Sequence, residues 1–214
     1  MRNVLLTGFA PFDGAVGNPS WDAARVLDGE DIAGHRIVAR RLPVEFGVAR
    51  DALRQAIREL RPALVLCTGL ASGRSAISLE RVAINVDDAR IPDNAGRQPV
   101  DVPVVRRGPA AYFSTLPIKA MYAAIGEAGI PVEVSQSAGT YVCNHVFYGL
   151  MHALRRQRIV RAGFIHIPYS PAQASMHPGT PSVAVETVTE ALRLAVKVAL
   201  NTRMDARLAA GAEH

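Results

Sequence analysis

Residues 48–69 read VARDALRQAIRELRPALVLCTG, and their pattern decides the fold. Ala49, Leu53, Ala56, Ile57 and Leu60 recur at helical spacing, so 48–60 is expected to be an amphipathic helix. Pro62 ends it, because proline cannot continue the helical hydrogen-bond ladder. Ala63, Leu64, Val65, Leu66 and Cys67 then form a short, continuous apolar run closed by Gly69. Such a run is expected of a strand covered on both faces. A helix feeding directly into a buried strand is the repeating unit of a parallel α/β sheet.

The same alternation extends outward in both directions. Val4 to Thr7 is another buried strand stopped by Gly8, and 19–27 reads as a helix with Asn18 and Ser20 as caps. Strands are expected at 37–44, 79–86, 131–135 and 163–167, and helices at 109–126 and 143–156. A long Pro/Gly/Asp-rich loop spans 90–108. Thr180 is expected to cap a last helix with Pro181 at its first position, lined inside by Val185, Val188, Leu192, Ala195 and Ala199. Strands alternating with helices imply an α/β fold, a three-layer α/β/α sandwich around a mostly parallel sheet. Ligands in such folds bind beyond the carboxyl ends of the strands. That points to the segments 8–17, 68–75 and 168–173.

The chain has 214 residues, 49% hydrophobic and 20% charged, as suits a globular protein. The length fits one catalytic domain over 1–214, with 201–214 as a loosely held tail. No apolar run approaches a membrane span and no export core opens the chain, so no membrane partner is expected. Two cysteines, Cys67 and Cys143, make no disulfide framework, which favours a cytoplasmic location. The 24 Lys+Arg against 19 Asp+Glu leave a net charge of +5, scattered rather than clustered. With 6% aromatic residues there is little for base stacking, so no nucleic-acid partner is expected.

Phosphate loops, dinucleotide fingerprints and metal-ligand spacings are all missing, so neither metal nor cofactor is expected. A thiol is the remaining reactive group. Cys67 lies within an apolar strand and reads as a core residue. Cys143 opens a helix, whose free N–H groups favour a thiolate, although a structural cysteine fits that place too. A catalytic thiol needs a base, usually histidine. Among His35, His145, His152, His166, His177 and His214, only His166 closes a buried strand, where it is either a satisfied core residue or a presented base. Glu80 shares the apolar parity of Val82, Ile84 and Val86, which turns its carboxylate inward if the strand is regular. An internal ion pair with Arg74 or Arg90 fits that position as well, and a bulge would turn Glu80 to solvent.

Five stretches together carry a resemblance. They are Leu5-Leu6-Thr7-Gly8-Phe9-Ala10-Pro11-Phe12-Asp13-Gly14 followed by Asn18-Pro19-Ser20, Glu80-Arg81-Val82-Ala83-Ile84-Asn85, Asp88-Ala89-Arg90-Ile91-Pro92-Asp93-Asn94, Ala138-Gly139-Thr140-Tyr141-Val142-Cys143-Asn144, and Gly163-Phe164-Ile165-His166-Ile167-Pro168-Tyr169. In this order the chain resembles the type I pyroglutamyl peptidases, also called pyrrolidone-carboxylate peptidases. The resemblance implies a cytoplasmic, homotetrameric cysteine exopeptidase that removes N-terminal pyroglutamate from peptides through a thioester. It implies Cys143 as nucleophile, His166 as base and Glu80 as the acidic partner. Phe9, Phe12 and Arg90 are implied at the substrate, and Asn18 and Val142 are added as expected substrate-binding residues. Leu70 stands where some members carry Gln, and Tyr141 where Phe is common. A second reading is a nucleoside or peptidyl-RNA hydrolase or phosphorylase on a similar sandwich, and a third is a binding protein that kept the fold.

Overall fold

The computed structural model describes residues 2–157 and 159–211. In chain order the elements are β1 (Arg2–Phe9), α1 (Pro19–Val26), β2 (Asp31–Ile32), β3 (His35–Leu42), α2 (Val48–Leu60), β4 (Leu64–Leu70), β5 (Ile77–Glu80) and β6 (Val82–Ile84). They continue with β7 (Ala111–Phe113), α3 (Ile118–Glu127), β8 (Val132–Ser135), α4 (Val142–Leu154), β9 (Arg161–Ile167), α5 (Pro171–Ala174) and α6 (Val185–Asn201). His214 lies outside the described residues.

Seven strands form one sheet in the order β2-β3-β1-β4-β9-β5-β8, and β6 pairs with β7 in a separate ribbon. β3, β1, β4 and β9 run parallel. β5 runs antiparallel to β9 and parallel to β8. The sheet is therefore mixed but mostly parallel. Period-two alternation sorts its side chains into two cores. Val4, Leu6, Leu64, Leu66, Ile165 and Ile167 pack with residues of α1, α3 and α6. Leu5, Val65, Cys67 and Phe164 pack on the other face with residues of α2 and α4. This is the expected three-layer sandwich.

Gly8 and Gly69 do not stop their strands; each lies inside one. A Cβ on Gly8 would sit 2.5 Å from the backbone of Ser20 and Trp21, so its bare Cα lets α1 approach β1. The expected strand 79–86 is two strands. At Arg81 the chain leaves the large sheet: its N–H still bonds Ser135 O, while its carbonyl accepts from Ser114 N–H. The phase slips there, so Ala83 is buried and Val82 and Ile84 are half-buried, the reverse of the expected face. Glu80 is buried all the same, because the whole of β5 is enclosed.

The expected helix 109–126 begins only at Ile118. The residues before it are extended as β7 and pair with β6. Asp205 accepts from the backbone N–H groups of Lys119 and Ala120, capping α3 from the segment that follows α6. The last helix starts at Val185 rather than after Thr180. Both the N–H and the hydroxyl of Thr180 bond His177 O, and Ser182 bridges to Tyr169, so 180–184 is held extended. Val188, Leu192, Ala195 and Ala199 are buried on the inner face of α6 as expected.

Crowding at Gly8 sets a test of the β1–α1 contact. Gly8→Ala should destabilise the protein by about 1–3 kcal/mol, since the obstructing atoms are backbone and cannot rotate away. Gly17→Ala, whose Cβ meets nothing closer than Asp22 Oδ2 at 3.5 Å, should be nearly neutral. Urea titration of both variants checks this, and equal midpoints would contradict the packing described.

Candidate active site

The parallel strands β1, β4 and β9 end on one side of the molecule, and the loops that follow them surround a cavity of about 630 Å³. All three segments expected to hold the site contribute: residues 12–15 after β1, Leu70, Ala71, Ser72 and Arg74 at and beyond the end of β4, and Tyr169 and Gln173 after β9. The opposite wall is formed by Asp88, Arg90 and Ile91 and by the approach to α4.

Cys143 is the second residue of α4, and Tyr141 at the N-cap supplies no side-chain bond to the free amides of the first turn. The start of the helix is pinned by Asn144, whose side chain accepts from Ile84 N–H and donates to the carbonyls of Ile84 and Val86. Cys143 Sγ overlies β4: a Cβ on Gly69 would be 2.8 Å from it. Gly69 is the ladder partner of His166, so the sulfur stands above the strand next to the one that carries the imidazole. Both side chains line the cavity.

His166 shares the parity of Phe164 and therefore faces the α4 layer. Its Nδ1 lies 2.8 Å from Glu80 Oε1. The antiparallel pairing of β5 with β9 sets Ser78 opposite His166, which makes Glu80 the diagonal neighbour on the same face. Glu80 is fully buried and His166 nearly so. Oε1 of Glu80 also lies 3.2 Å from Arg74 Nη2, whereas Oε2 has no partner. The ion pair with Arg74 and the contact with His166 thus coexist on one oxygen.

Burial pushes the Cys143 thiol up to about 12, the nearby Glu80 charge adds to that, and Arg74 opposes it. Burial and the neighbouring carboxylate thus act against the amide dipoles of the helix start, which favour a thiolate. Burial raises Cys67 similarly, and that residue is wholly enclosed in the core.

Phe12 and Arg90, two of the expected substrate-binding residues, line the cavity. Phe9, Asn18 and Val142 do not. Phe9 is buried against Phe164 at a ring separation of 6.4 Å. Asn18 is the N-cap of α1, accepting from Ser20 N–H and donating to Ala10 O. Val142 is buried among the α4-side core residues. Phe9 thus packs in the core, Asn18 ties the start of α1 to the loop after β1, and Val142 belongs to the core under the helix start.

Leu70 and Tyr141 are both in the wall, and the Tyr141 hydroxyl donates to Pro92 O, so its ring presents to the cavity much as phenylalanine would. Arg74, Tyr169, Gln173 and His177 also line the cavity, beyond the expected site residues. Their positions just beyond β4 and β9 were the available signal. His145 is a buried structural residue, with Nδ1 on Asp87 and Nε2 accepting from Gly47 N–H. Among the described residues no group of three or more His, Cys, Asp or Glu could hold a metal ion, and no helix is long and apolar enough to cross a membrane.

Comparisons with known proteins identify the family. A family model described as pyroglutamyl peptidase matches residues 2–202. A pyrrolidone-carboxylate peptidase of Klebsiella pneumoniae is 60% identical over 214 residues, covering 100% of both chains. One of Cupriavidus taiwanensis is 59% identical over 216 residues, again with 100% of both covered. The crystal structure of pyroglutamyl peptidase I from Bacillus amyloliquefaciens superposes with a TM-score of 0.93 at 44% identity, covering 96% of this chain and 100% of that one. The pyrrolidone carboxyl peptidase of Thermococcus litoralis gives 0.93 at 39% identity, with 98% and 100% covered. Site geometry, sequence and fold thus converge, and the chain belongs to the pyroglutamyl peptidase family.

Proposed function

We propose that this chain is a cysteine exopeptidase that hydrolyses the N-terminal pyroglutamyl residue from peptides, with Cys143, His166 and Glu80 as its catalytic residues. The observation that carries the reading is the buried 2.8 Å contact of Glu80 with His166 Nδ1, beside a thiol on the same cavity. With Nδ1–H donated to Glu80, Nε2 is the nitrogen free to act as base.

Cys143 passes its proton to His166 Nε2 as its sulfur bonds to the pyroglutamyl carbonyl carbon. The first-turn N–H groups of α4 receive the oxyanion, and each such donor is worth on the order of 3 kcal/mol. The C–N bond then breaks as the imidazolium protonates the departing amine. His166 next takes a proton from water, which attacks the thioester and releases pyroglutamate and the free thiol. Glu80 balances the imidazolium while it exists. Positioned proton transfer of this kind contributes on the order of a hundred- to ten-thousandfold.

The cavity suits the substrate class. Pyroglutamate is an uncharged lactam, so an apolar wall with a few polar groups serves it better than an acidic clamp. Phe12, Tyr141, Leu70 and Ile91 supply that wall, and Arg90 stands at its exposed side. We further propose that 1–214 acts as a single catalytic domain, in the cytoplasm, and as a homotetramer. The two free thiols support the location. Exposed Val16, Val100 and Phe113 offer apolar surface for assembly.

Cys143→Ala should lower release of a fluorescent amine from a pyroglutamyl amide by at least about a thousandfold. Cys67→Ala should keep most of the activity, because the side chain is enclosed in the core. A folded Cys143→Ala protein with full activity would refute the nucleophile assignment. Removing the base should expose the raised thiol directly. In His166→Ala, iodoacetamide should modify Cys143 about tenfold faster per pH unit from about pH 7 to about pH 10, since only the thiolate reacts. A plateau below about pH 8 would mean that the sulfur ionises without the imidazole.

A further inference from the structure

Arg74 lies in the loop between β4 and β5, and its guanidinium faces three acceptors. Nη2 is 3.2 Å from Glu80 Oε1 and donates to Ser137 O at 3.2 Å, while Nη1 donates to Glu133 Oε1 at 3.4 Å. Glu133 Oε1 also accepts from Ser78 Oγ at 2.6 Å, and Ser78 is the ladder partner of His166. The contacts therefore run from β8 through Arg74 and Glu80 to the imidazole on β9.

Glu80 is poorly restrained without this cation. One carboxylate oxygen is buried with no partner, and the other touches only His166 and Arg74 among the described residues. The charged or titratable groups around it are His166 from β9, Cys143 from α4, Arg74 from the β4–β5 loop and, beyond the guanidinium, Glu133 from β8. A base that is to accept the thiol proton starts neutral, so at that moment Arg74 is the full positive charge in contact with the buried acid. A buried carboxylate lacking a cation is costly, and one held by a single hydrogen bond is free to turn.

We propose that Arg74 is a positioning residue of the reaction, holding the Glu80 carboxylate against His166 Nδ1 so that Nε2 faces the thiol. This rests on the thiol-peptidase reading of the site. The competing role is a staple that joins the loop to Ser137 and β8 and leaves the chemistry alone. It is also distinct from substrate binding, although Arg74 borders the cavity.

Arg74→Gln, Arg74→Lys, Glu80→Gln and the double variant Arg74→Gln/Glu80→Gln separate these roles. Arg74→Gln should lower kcat on a pyroglutamyl amide by about ten- to a hundredfold, with KM changed by less than about threefold. Arg74→Lys keeps the charge and should recover much of the loss. On the Glu80→Gln background, Arg74→Gln should cost less than about threefold more, because residues acting as a unit are not additive. An unchanged kcat, a change confined to KM, or an equal loss with and without the Glu80 carboxylate would each overturn the proposal.

Modification of Cys143 by iodoacetamide needs no peptide and supplies a second readout. Arg74→Gln should slow it severalfold, and most of that slowing should vanish in the Glu80→Gln background. Equal rates in wild type and Arg74→Gln would sink the positioning role. Failure of the wild type to cleave pyroglutamyl amides would instead sink the proposed function. If Arg74→Gln melts below the assay temperature, Arg74→Met with and without Glu80→Gln carries the same comparison.

Discussion

The site depends on a hydrogen bond made where water cannot help: His166 Nδ1 to Glu80 Oε1 at 2.8 Å, with both residues buried. A carboxylate in such a place needs its partners, and an imidazole so held presents one defined tautomer. The rest of the architecture brings these groups together. β5 runs against β9, so the acid lies diagonally from the base on one face. Gly69 then leaves the space above β4 in which Cys143 Sγ sits. A side chain there would meet the sulfur and Phe164, and the thiol could not stand where it does.

Burial shapes the chemistry as well as the geometry. The amides at the start of α4 favour a thiolate, but burial and the Glu80 charge push the Cys143 thiol up to about 12. In the proposed reaction the sulfur therefore hands its proton to the imidazole. That transfer joins three distant stretches of chain into one functional unit. The same amides remain free to receive negative charge when it develops on the substrate oxygen, which is where preorganised donors matter most.

Much of this was legible in the sequence because hydrophobic periodicity reports burial. The run from Leu64 to Cys67 and the helix before it disclosed the layered fold, and His166 at the end of another buried strand was legible as a candidate base. The candidate acid was legible for a partly mistaken reason. Glu80 faces inward because β5 is enclosed, not because a regular strand continues to Val86; the chain changes sheets at Arg81. Pairing of Ala111–Phe113 with β6 overrode the helical reading of that stretch, a long-range choice that local spacing does not encode. Phe9, Asn18 and Val142 lie near the chemistry in sequence, yet packing turns them into support. The role of Arg74 needed coordinates, since its three acceptors come from β5, β8 and the segment before α4.

The most direct test of the whole account is the site of acylation. Enzyme turning over a pyroglutamyl ester can be quenched in acid, digested and mapped by mass spectrometry. The account predicts one pyroglutamyl group in thioester linkage on the peptide that contains Cys143. Acylation of the Cys67 peptide, or steady turnover with no acyl-enzyme even from a fast-acylating ester, would contradict it.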